Sequence, residues 1–299
     1  PKLEIKDGYK IIRKGPHITK SSSNYQIWKR KNKFLKKLNL KCDLLILNDS
    51  DTYGIRFSGK TVLDMHDLSH GWPLMFGNSI INKIASSIML WQCKKLMKNS
   101  DLILSSSPGI GKWIKSQGYE SNVIMNYRNS VNKDKNIDCK AIGYFGRIRD
   151  FDSMLKLKLS ADKIGYRVII AGDGPAANRV NEEIDGIDYR GHFDENDLEN
   201  LMRDISVMYA VYPPSRLNIK HGAISVKMLD AAAFGIPSVV SKDNPMADFC
   251  VSNSIGIPVD YDCIDDISQG IEAASNIEIT KKFSEDRVAF VKSINSLDV

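Results

Sequence analysis

Two charged side chains interrupt an otherwise apolar helix in the segment SVKMLDAAAFGIPSVVS, residues 225–241. Lys227 and Asp230 are three residues apart, so they share one face of a predicted helix that Ser225 caps and Gly235 ends. A lysine in the first turn lies against the positive end of the helix dipole, and a bound phosphate would reverse that penalty. Asp230, one turn further on, could then accept hydrogen bonds from ribose hydroxyls. The alternative is an exposed ion pair worth about 0.3 kcal/mol.

The segment GYFGRIRD, residues 143–150, ends a predicted strand and opens a predicted helix. Gly146 lets the backbone approach a ligand closely, and the helix N-terminus that follows favours an anion. Arg147 and Arg149 carry guanidinium groups, which form charge-assisted hydrogen bonds with a pyrophosphate. The alternative is an ordinary strand–helix turn with two solvated arginines.

Two later turns carry residues that could face the same ligand. IIAGDGP, residues 169–175, runs from a strand into a turn at Gly174, although Gly and Pro are sufficient reasons for a turn by themselves. In YRGHF, Gly191 would let a flat base lie against the backbone, and His192 or Phe193 could contact that base. A surface loop histidine is the alternative for His192.

These segments need a scaffold, and the chain supplies apolar runs that alternate with amphipathic stretches such as 77–99 and 196–204. Continuous apolar runs bounded by turn residues are typical of buried parallel strands. Strands that alternate with helices predict an α/β fold with parallel sheets. The predicted strands are 9–13, 43–48, 60–66, 101–107, 122–127, 141–146, 167–172, 207–213, 237–241 and 256–261.

A length of 299 residues suggests two domains of roughly 150 residues each. The polar segment 128–140 lies between two predicted strands, so the predicted domains are 1–135 and 136–299, with the last helix able to pack back on the first domain. The first domain has no glycine-rich loop after its first strands. We therefore expect it to be short or incomplete.

Taken in chain order, GYFGR, IIAGDGP, the Gly-His-Phe turn, YPPS, KMLDAAAFGIPSVVS and GIPVDY resemble the donor-binding half of family 4 glycosyltransferases. The resemblance covers residues 141–272 and implies the GT-B architecture, in which two Rossmann-like domains face each other across a cleft. It implies a retaining, metal-independent transfer of a sugar from a nucleotide-diphosphate donor to a glycan or lipid-linked acceptor, with no cofactor. Surface polysaccharide or glycoconjugate synthesis is the implied setting.

The resemblance also implies roles for individual residues of the second domain. Asp230 would hold the nucleotide ribose, Arg147 would contact the donor diphosphate with Arg149 as the nearest basic partner, and the Gly191 turn would lie around the base. Gly222 occupies a position where the family usually has a glutamate.

The same region carries Ala223 beside Gly222 as part of the predicted donor site, and Ser225-Val226-Lys227 resembles a Pro-x-Lys segment that some members have before the acidic residue.

The missing glutamate and the short first domain leave two other functions open. One is a protein that binds a nucleotide sugar or a glycan without transferring it. The other is a nucleotide-sugar epimerase of the same architecture.

The first domain resembles the family more weakly. KTVLDMHDLSH, residues 60–70, resembles a strand that ends in a cleft-facing histidine, so His66 would position the transferred sugar and the acceptor. The alternative is a histidine that is hydrogen-bonded locally to Asp64 or Asp67. The predicted catalytic residues are therefore His66, Arg147 and Asp230.

LLILNDSD, residues 44–51, contains an Asp-x-Asp pair after an apolar strand. Such a pair binds a divalent metal and a diphosphate in the other large glycosyltransferase architecture. The donor-site segments all lie in the other half of the chain, so we expect Asp49 and Asp51 to shape a loop and predict no metal site.

Residues 1–41 hold 13 Lys and Arg side chains against Glu4 and Asp7, whereas the whole chain has a net charge of +6. Residues 24–40 can form a helix with Ile27, Phe34, Leu35 and Leu38 on one face. This pattern is typical of a helix on an anionic membrane surface and of an ordinary helix packed on a sheet.

We expect residues 1–41 to meet anionic lipid or a lipid-pyrophosphate acceptor, and we expect no nucleic-acid partner because no recognised binding motif accompanies the charge. Five dispersed cysteines favour a reducing compartment. The expected location is the cytoplasm, peripheral to the inner membrane face.

Overall fold

The computed structural model of the chain describes residues 2–6, 9–13, 24–38, 40–131 and 139–297. Two 3₁₀ helices span Ser50–Thr52 and Ser69–Phe76. The strands are β1 (Lys2–Lys6), β2 (Tyr9–Arg13), β3 (Leu44–Asn48), β4 (Lys60–Met65), β5 (Leu102–Ser105), β6 (Asn122–Val123), β7 (Ala141–Phe145), β8 (Arg167–Ala171), β9 (Ile187–Tyr189), β10 (Val207–Ala210), β11 (Ser238–Ser241) and β12 (Gly256–Val259). The α-helices are α1 (Asn24–Leu35), α2 (Ile80–Asn99), α3 (Pro108–Ser116), α4 (Phe151–Lys163), α5 (Ala177–Glu183), α6 (Leu198–Arg203), α7 (Leu217–Lys220), α8 (Val226–Ala233), α9 (Pro245–Ser252), α10 (Ile264–Ser275) and α11 (Arg287–Asn295).

Ten of these strands form two sheets, and this confirms the predicted α/β class with parallel strands. The first sheet has the order β3-β4-β5-β6, and the second has the order β12-β11-β10-β7-β8-β9. Neighbouring strands are parallel throughout both sheets. β1 and β2 pair separately as an antiparallel hairpin. The first sheet, with four strands to the second sheet's six, is the smaller one, as expected.

Helix α8 owes its position to three consecutive alanines. Ala231, Ala232 and Ala233 are buried, and such small side chains let α8 lie close to β10 and β11. Gly235 follows with φ 71°, the left-handed conformation that favours glycine after a helix. Ser225 stands at the predicted N-cap position, but its Oγ is hydrogen-bonded at 2.9 Å to the hydroxyl of Tyr212 and makes no cap hydrogen bond.

The two sheets are joined by an apolar core that both halves of the chain line. Ile110 and Met125 from the first half share this core with Ile219, Ala223 and Met228 from the second. Because each half contributes many buried apolar side chains to this core, the two sheets are held together mainly by the removal of apolar surface from water.

The chain crosses between the two sheets twice, and the crossings lie side by side. The Ser130 N–H donates to the carbonyl oxygen of Phe283 at 2.8 Å, and the Phe283 N–H donates to Ser130 Oγ at 2.7 Å. Beyond this point α11 returns to the first sheet, where Phe290 and Ile294 pack on a buried cluster and Ser293 Oγ accepts from Asn122 Nδ2 at 2.9 Å. The predicted domain boundary at 135/136 falls outside the described residues and stays a prediction.

Backbone touches backbone where Gly222 meets Gly109 at the start of α3. A Cβ on Gly222 would lie 2.4 Å from the Cα of Gly109, and a Cβ on Gly109 would lie 2.5 Å from the Cα of Gly222. Ser107 Oγ donates to the Gly222 carbonyl oxygen at 2.6 Å. A glutamate, which the family resemblance would place at residue 222, does not fit in this arrangement.

This contact predicts a stability difference between two glycines that share the same φ. Gly222 and Gly77 both have φ 110°, but an added Cβ on Gly77 meets no atom within 4 Å. We expect Gly77→Ala to lower the free energy of unfolding by about 1 kcal/mol through backbone strain alone. Gly222→Ala should lower it by about 3 kcal/mol, because the backbone clash is added to the strain. Urea unfolding measures both, and equal losses would contradict the role of the contact.

Candidate functional site

The second sheet changes the direction of its strand order between β7 and β10. β8 and β9 follow β7 on one side, whereas β10, β11 and β12 lie on the other. In open α/β sheets, ligands bind in the crevice outside the carboxyl ends of the strands at such a point. A cavity of about 150 Å³ lies there, and its lining includes Tyr144, Arg149, Tyr212 and Arg216. Tyr212 and Arg216 also line an adjoining cavity of about 280 Å³.

Glycines shape the loops that follow β7 and β8. The Ile148 N–H donates to the Asp173 carbonyl oxygen at 2.7 Å. A Cβ on Gly174 would lie 2.2 Å from the carbonyl oxygen of Ile148, so the two loops pack backbone against backbone. Gly146 has φ 136°, and a Cβ added to it would lie 3.8 Å from Lys227 Nζ.

Three basic side chains converge on the crevice. Lys227 Nζ lies 3.2 Å from the ring centroid of Tyr144 and 5.6 Å from that of Tyr212. The Arg216 guanidinium carbon lies 4.4 Å from the Tyr212 centroid. Arg149 lines the same cavity as Arg216. The tyrosine rings thus hold two of the cations through cation–π contacts.

This basic cluster, Arg149, Arg216 and Lys227, lies beside one carboxylate of the cavity lining, Asp150, whose Oδ2 accepts from Ser153 Oγ at 2.5 Å and from the Tyr261 hydroxyl at 3.2 Å. Three cations against this one carboxylate leave the cluster unbalanced toward positive charge. Burial lowers the pKa of Lys227 well below its usual range, and Arg216 and Arg149 lower it further. In the described part of the chain, no carboxylate lies within 4.0 Å of Lys227 Nζ, and Arg216 Nε is buried without a hydrogen-bond partner. Buried cations are normally paired, so the arrangement suits an anion that binds from outside the chain.

Asp230 has a partner that the sequence analysis did not predict. Arg128 Nε donates to Asp230 Oδ1 at 3.2 Å, and Arg128 Nη1 donates to Glu195 Oε1 at 3.2 Å. Burial raises the pKa of Asp230, and Arg128 opposes that rise. The local ion pair between Lys227 and Asp230, considered from their spacing, is not formed, because Lys227 extends to Tyr144 instead.

Three other predicted residues of this site lie in the loops that follow β7 and β9. Arg147 is exposed, and its carbonyl oxygen accepts from the Tyr144 hydroxyl at 2.9 Å. Gly191 has φ 68°, and its carbonyl oxygen accepts from the Gly172 N–H at 2.6 Å. His192 is exposed beyond it, with Nδ1 at 3.6 Å from Asp173 Oδ2.

Two predicted residues are largely occupied by packing. Phe193 is half-buried and makes an edge-on contact with Phe145, with ring centroids 6.4 Å apart. Ala223 is buried in the core between the sheets, next to Gly222. Sequence reasoning missed Tyr144, Tyr212, Arg216 and Arg128 as site residues. For Arg216 there was a signal, since YPPSR directly follows a predicted strand end.

His66 follows the carboxyl end of β4, where it makes two side-chain hydrogen bonds. Its Nε2 lies 2.9 Å from Asp64 Oδ2, and its Nδ1 lies 3.4 Å from Asn126 Nδ2. The bond to Asp64 raises the pKa of His66. The local hydrogen bond that was the alternative for His66 is therefore present, and the ring is 40% exposed, so one face stays accessible.

Asp49 and Asp51 point to different partners. Asp49 Oδ1 accepts from the backbone N–H groups of His66 at 2.7 Å and Asp67 at 3.0 Å. Asp51 Oδ2 pairs with Lys31 Nζ at 2.9 Å. These contacts are those of loop-shaping residues. Within the described ranges, no group of three or more His, Cys, Asp or Glu side chains could hold a metal ion.

Two separate parallel sheets with intervening helices are the architecture of the GT-B fold, and comparison with solved structures agrees. Sucrose-phosphate synthase from Thermosynechococcus elongatus superposes with a TM-score of 0.68 at 14% identity, over 91% of this chain and 76% of that chain. Anabaena HepE in complex with UDP-glucose superposes with a TM-score of 0.60 at 14% identity, over 91% of this chain and 82% of that chain. No protein-family model and no curated protein matches the sequence.

Staphylococcus aureus TarM, solved in complex with fondaparinux, α-GlcNAc-glycerol and UDP, gives a TM-score of 0.57 at 14% identity. That match covers 82% of this chain and 50% of TarM. At such low identities, the comparisons establish the fold of this chain.

The unbalanced cluster predicts that Lys227 lowers the stability of the unliganded protein. Because its pKa is lowered in the folded state, its contribution to the free energy of unfolding increases with pH, up to its unfolded pKa of about 10.4. We expect Lys227→Met to remove that increase and to raise the free energy of unfolding at neutral pH by about 1–2 kcal/mol. Urea unfolding across this pH range, with Lys140→Met as control at an exposed lysine directly before β7, checks it. A destabilised Lys227→Met variant with unchanged pH dependence would contradict the interpretation.

Proposed function

We propose that this protein is a retaining, metal-independent glycosyltransferase of family 4, which moves a sugar from a nucleotide-diphosphate donor to a glycan or lipid-linked acceptor. The observation that carries the proposal is the unbalanced basic cluster at the switch point of the second sheet. A diphosphate supplies the missing negative charge and accepts the charge-assisted hydrogen bonds that guanidinium and ammonium groups donate. The GT-B fold supports it, as do neighbours solved with UDP or UDP-glucose.

In this proposal Lys227, Arg216 and Arg149 hold the donor diphosphate. They stabilise the negative charge that builds on it as the bond to the anomeric carbon breaks. Arg147, exposed at the rim, approaches the diphosphate from the solvent side. Gly146 keeps the backbone clear for the ligand beside Lys227.

The nucleoside would lie further along the crevice. Asp230 accepts hydrogen bonds from the ribose hydroxyls. These hydroxyls either bind the carboxylate together with Arg128 or displace Arg128 from it. The turn of Gly191 and His192 borders the base, and Phe193 fixes that turn to the core through Phe145.

The acceptor hydroxyl attacks the anomeric carbon on the face from which the diphosphate leaves, and a diphosphate oxygen takes the hydroxyl proton. His66 positions the sugar and the acceptor from the opposite sheet. Its orientation is fixed by Asp64 on one ring nitrogen and Asn126 on the other.

The Gly222–Gly109 contact favours a second candidate function. Because residue 222 has no room for the carboxylate that the family uses near the donor sugar, a protein that binds a nucleotide sugar without transferring it is the main competitor. An epimerase of the same architecture is the third candidate. Turnover with an added acceptor excludes the binding protein, and an epimerised donor formed without acceptor identifies the epimerase.

The cellular setting is part of the proposal: surface polysaccharide or glycoconjugate synthesis in the cytoplasm, with residues 1–41 at the inner membrane face. None of the described helices is both long enough and apolar enough to cross a membrane. Residues 1, 7–8, 14–23 and 39 of the basic segment lie outside the described residues. Lys29, Arg30 and Lys33 are exposed on α1.

Ligand binding tests the site residue by residue. A thermal-shift screen of UDP-, GDP- and ADP-sugars identifies the donor, and calorimetry then gives its Kd. We expect Lys227→Met to weaken the donor and inorganic pyrophosphate alike by roughly 100-fold, since a buried charge-assisted contact is lost. Asp230→Ala should weaken the donor by roughly tenfold or more but leave pyrophosphate unchanged, because only the ribose contact is lost.

Lys140→Met serves as the control, because this exposed lysine directly precedes β7 at the amino end of the strand, away from the crevice. Unaltered donor affinity in Asp230→Ala would show that the ribose lies elsewhere. Pyrophosphate binding that survives Lys227→Met would show that the basic cluster is not the diphosphate site.

A further inference from the structure

Helix α2 exposes a continuous apolar stripe on the side opposite its buried face. Gln92, Cys93, Leu96 and Met97 are buried beneath it. The outward residues Ile80, Ile84, Ile88 and Trp91 recur at intervals of three or four, which places them in one row along the helix. Their exposed fractions, with that of the adjacent Ile81, are 76% for Ile80, 78% for Ile81, 55% for Ile84, 43% for Ile88 and 52% for Trp91.

Isolated exposed apolar residues are ordinary, but a contiguous row of them marks an interaction surface. The row borders a shallow depression of about 410 Å³ lined by α2 residues, among them Lys83 and Ser87. Among the described residues, Lys83 and Ser87 are the polar side chains of this lining, and two such groups are too few to specify a small ligand by directed hydrogen bonds. The surface therefore fits an extended apolar partner.

Charge identifies the chemistry of that partner. Helix α2 has four lysines, Lys83, Lys94, Lys95 and Lys98, and no acidic residue. Lys95 and Lys98 continue the apolar row by the same spacing toward the C-terminal end of the helix, and both are exposed. An apolar row that runs into lysines on one helix face is the pattern of a helix lying at an anionic lipid surface.

Helix α1 extends this surface. Residues 51–54 contact both helices: Asp51 pairs with Lys31 of α1, and the ring of Tyr53 meets the ring of Trp91 on α2 at a centroid distance of 5.6 Å. Helix α1 also has four basic residues and no acidic one. Asp51 is the acidic side chain of this connecting segment, and Lys31 neutralises it.

We infer that the exposed face of α2, together with the basic face of α1, docks on an anionic lipid bilayer. Ile80, Ile81, Ile84, Ile88 and Trp91 enter the interfacial layer, and Lys95 and Lys98 contact lipid phosphates. Helix α2 lies outside the basic segment 1–41, whereas α1 belongs to that segment. The membrane contact would therefore extend beyond the segment to which the proposed function assigns it. It uses no residue of the proposed donor site, so it stands or fails separately from the proposed transfer reaction.

Vesicle co-sedimentation tests the apolar part. We expect the protein to bind vesicles of phosphatidylcholine with phosphatidylglycerol and to bind pure phosphatidylcholine weakly. The double variant Ile80→Ser, Ile84→Ser should lose roughly tenfold or more in partition coefficient, because two aliphatic side chains that enter the lipid interface are removed. The matched control is Val288→Ser, Val291→Ser on α11, where both side chains are likewise exposed, by 82% and 53%.

The charged part has an equally matched pair. Lys98 and Lys292 each lie in the last turn of a helix, so reversal of either changes the net charge and the helix dipole contact equally. Lys98→Glu should weaken binding to the anionic vesicles by roughly fivefold or more, and Lys292→Glu should not.

Sedimentation velocity without lipid tests the competing explanation, in which this face of α2 binds a second copy of the chain. If the parent self-associates and Ile80→Ser, Ile84→Ser abolishes this, the face joins two copies of the chain and the inference is wrong. Equal vesicle binding by the parent and both α2 variants, each with a parent-like unfolding midpoint, would also overturn it.

Discussion

A half-buried lysine that has no carboxylate partner among the described residues is the constraint around which the second half of this protein is arranged. Lys227 lies over the Tyr144 ring, and the other charges that act on it most, Arg216 and Arg149, are also positive. Folding brings these groups together against their mutual repulsion, which costs stability while the crevice holds no anion. In the proposed function, a bound diphosphate would offset that cost, so the stability of the unliganded protein and the affinity for the donor would be opposed.

The scaffold makes this arrangement tolerable. Strands β7 and β10 diverge at the carboxyl edge of the sheet, so the loops that follow them leave a crevice that no side chain has to fill. Gly146 and Gly174 allow the loops on one side to pack by their backbones. The Tyr144 and Tyr212 rings, which are held by hydrogen bonds of their hydroxyl groups, provide the surfaces on which the cations rest.

The contact between Gly222 and Gly109 links the site to the relative position of the two sheets. Any side chain at residue 222 would push α3 away and open the apolar core between the two halves of the chain. The Arg128–Asp230 pair acts at the same junction, because Arg128 belongs to the segment that leaves the first sheet. If Asp230 binds the ribose as proposed, ligand binding and the geometry of this crossing share one carboxylate.

Local patterns were enough to predict the alternation of strands and helices, the parallel sheets and ten of the twelve described strands, because these depend on apolar periodicity and on glycine and proline positions. Strand β6 is shorter than predicted: residues 122–127 were expected to be extended in a sheet, but only Asn122–Val123 pair, since β6 is an edge strand whose chain then turns toward His66 through Asn126. The sequence by itself also determined that Lys227 and Asp230 lie one turn apart on the same helix, α8. Only the tertiary structure decided their partners, because Tyr144 and Arg128 lie far away in the chain, and pairing across such separations depends on how the sheets and loops are packed.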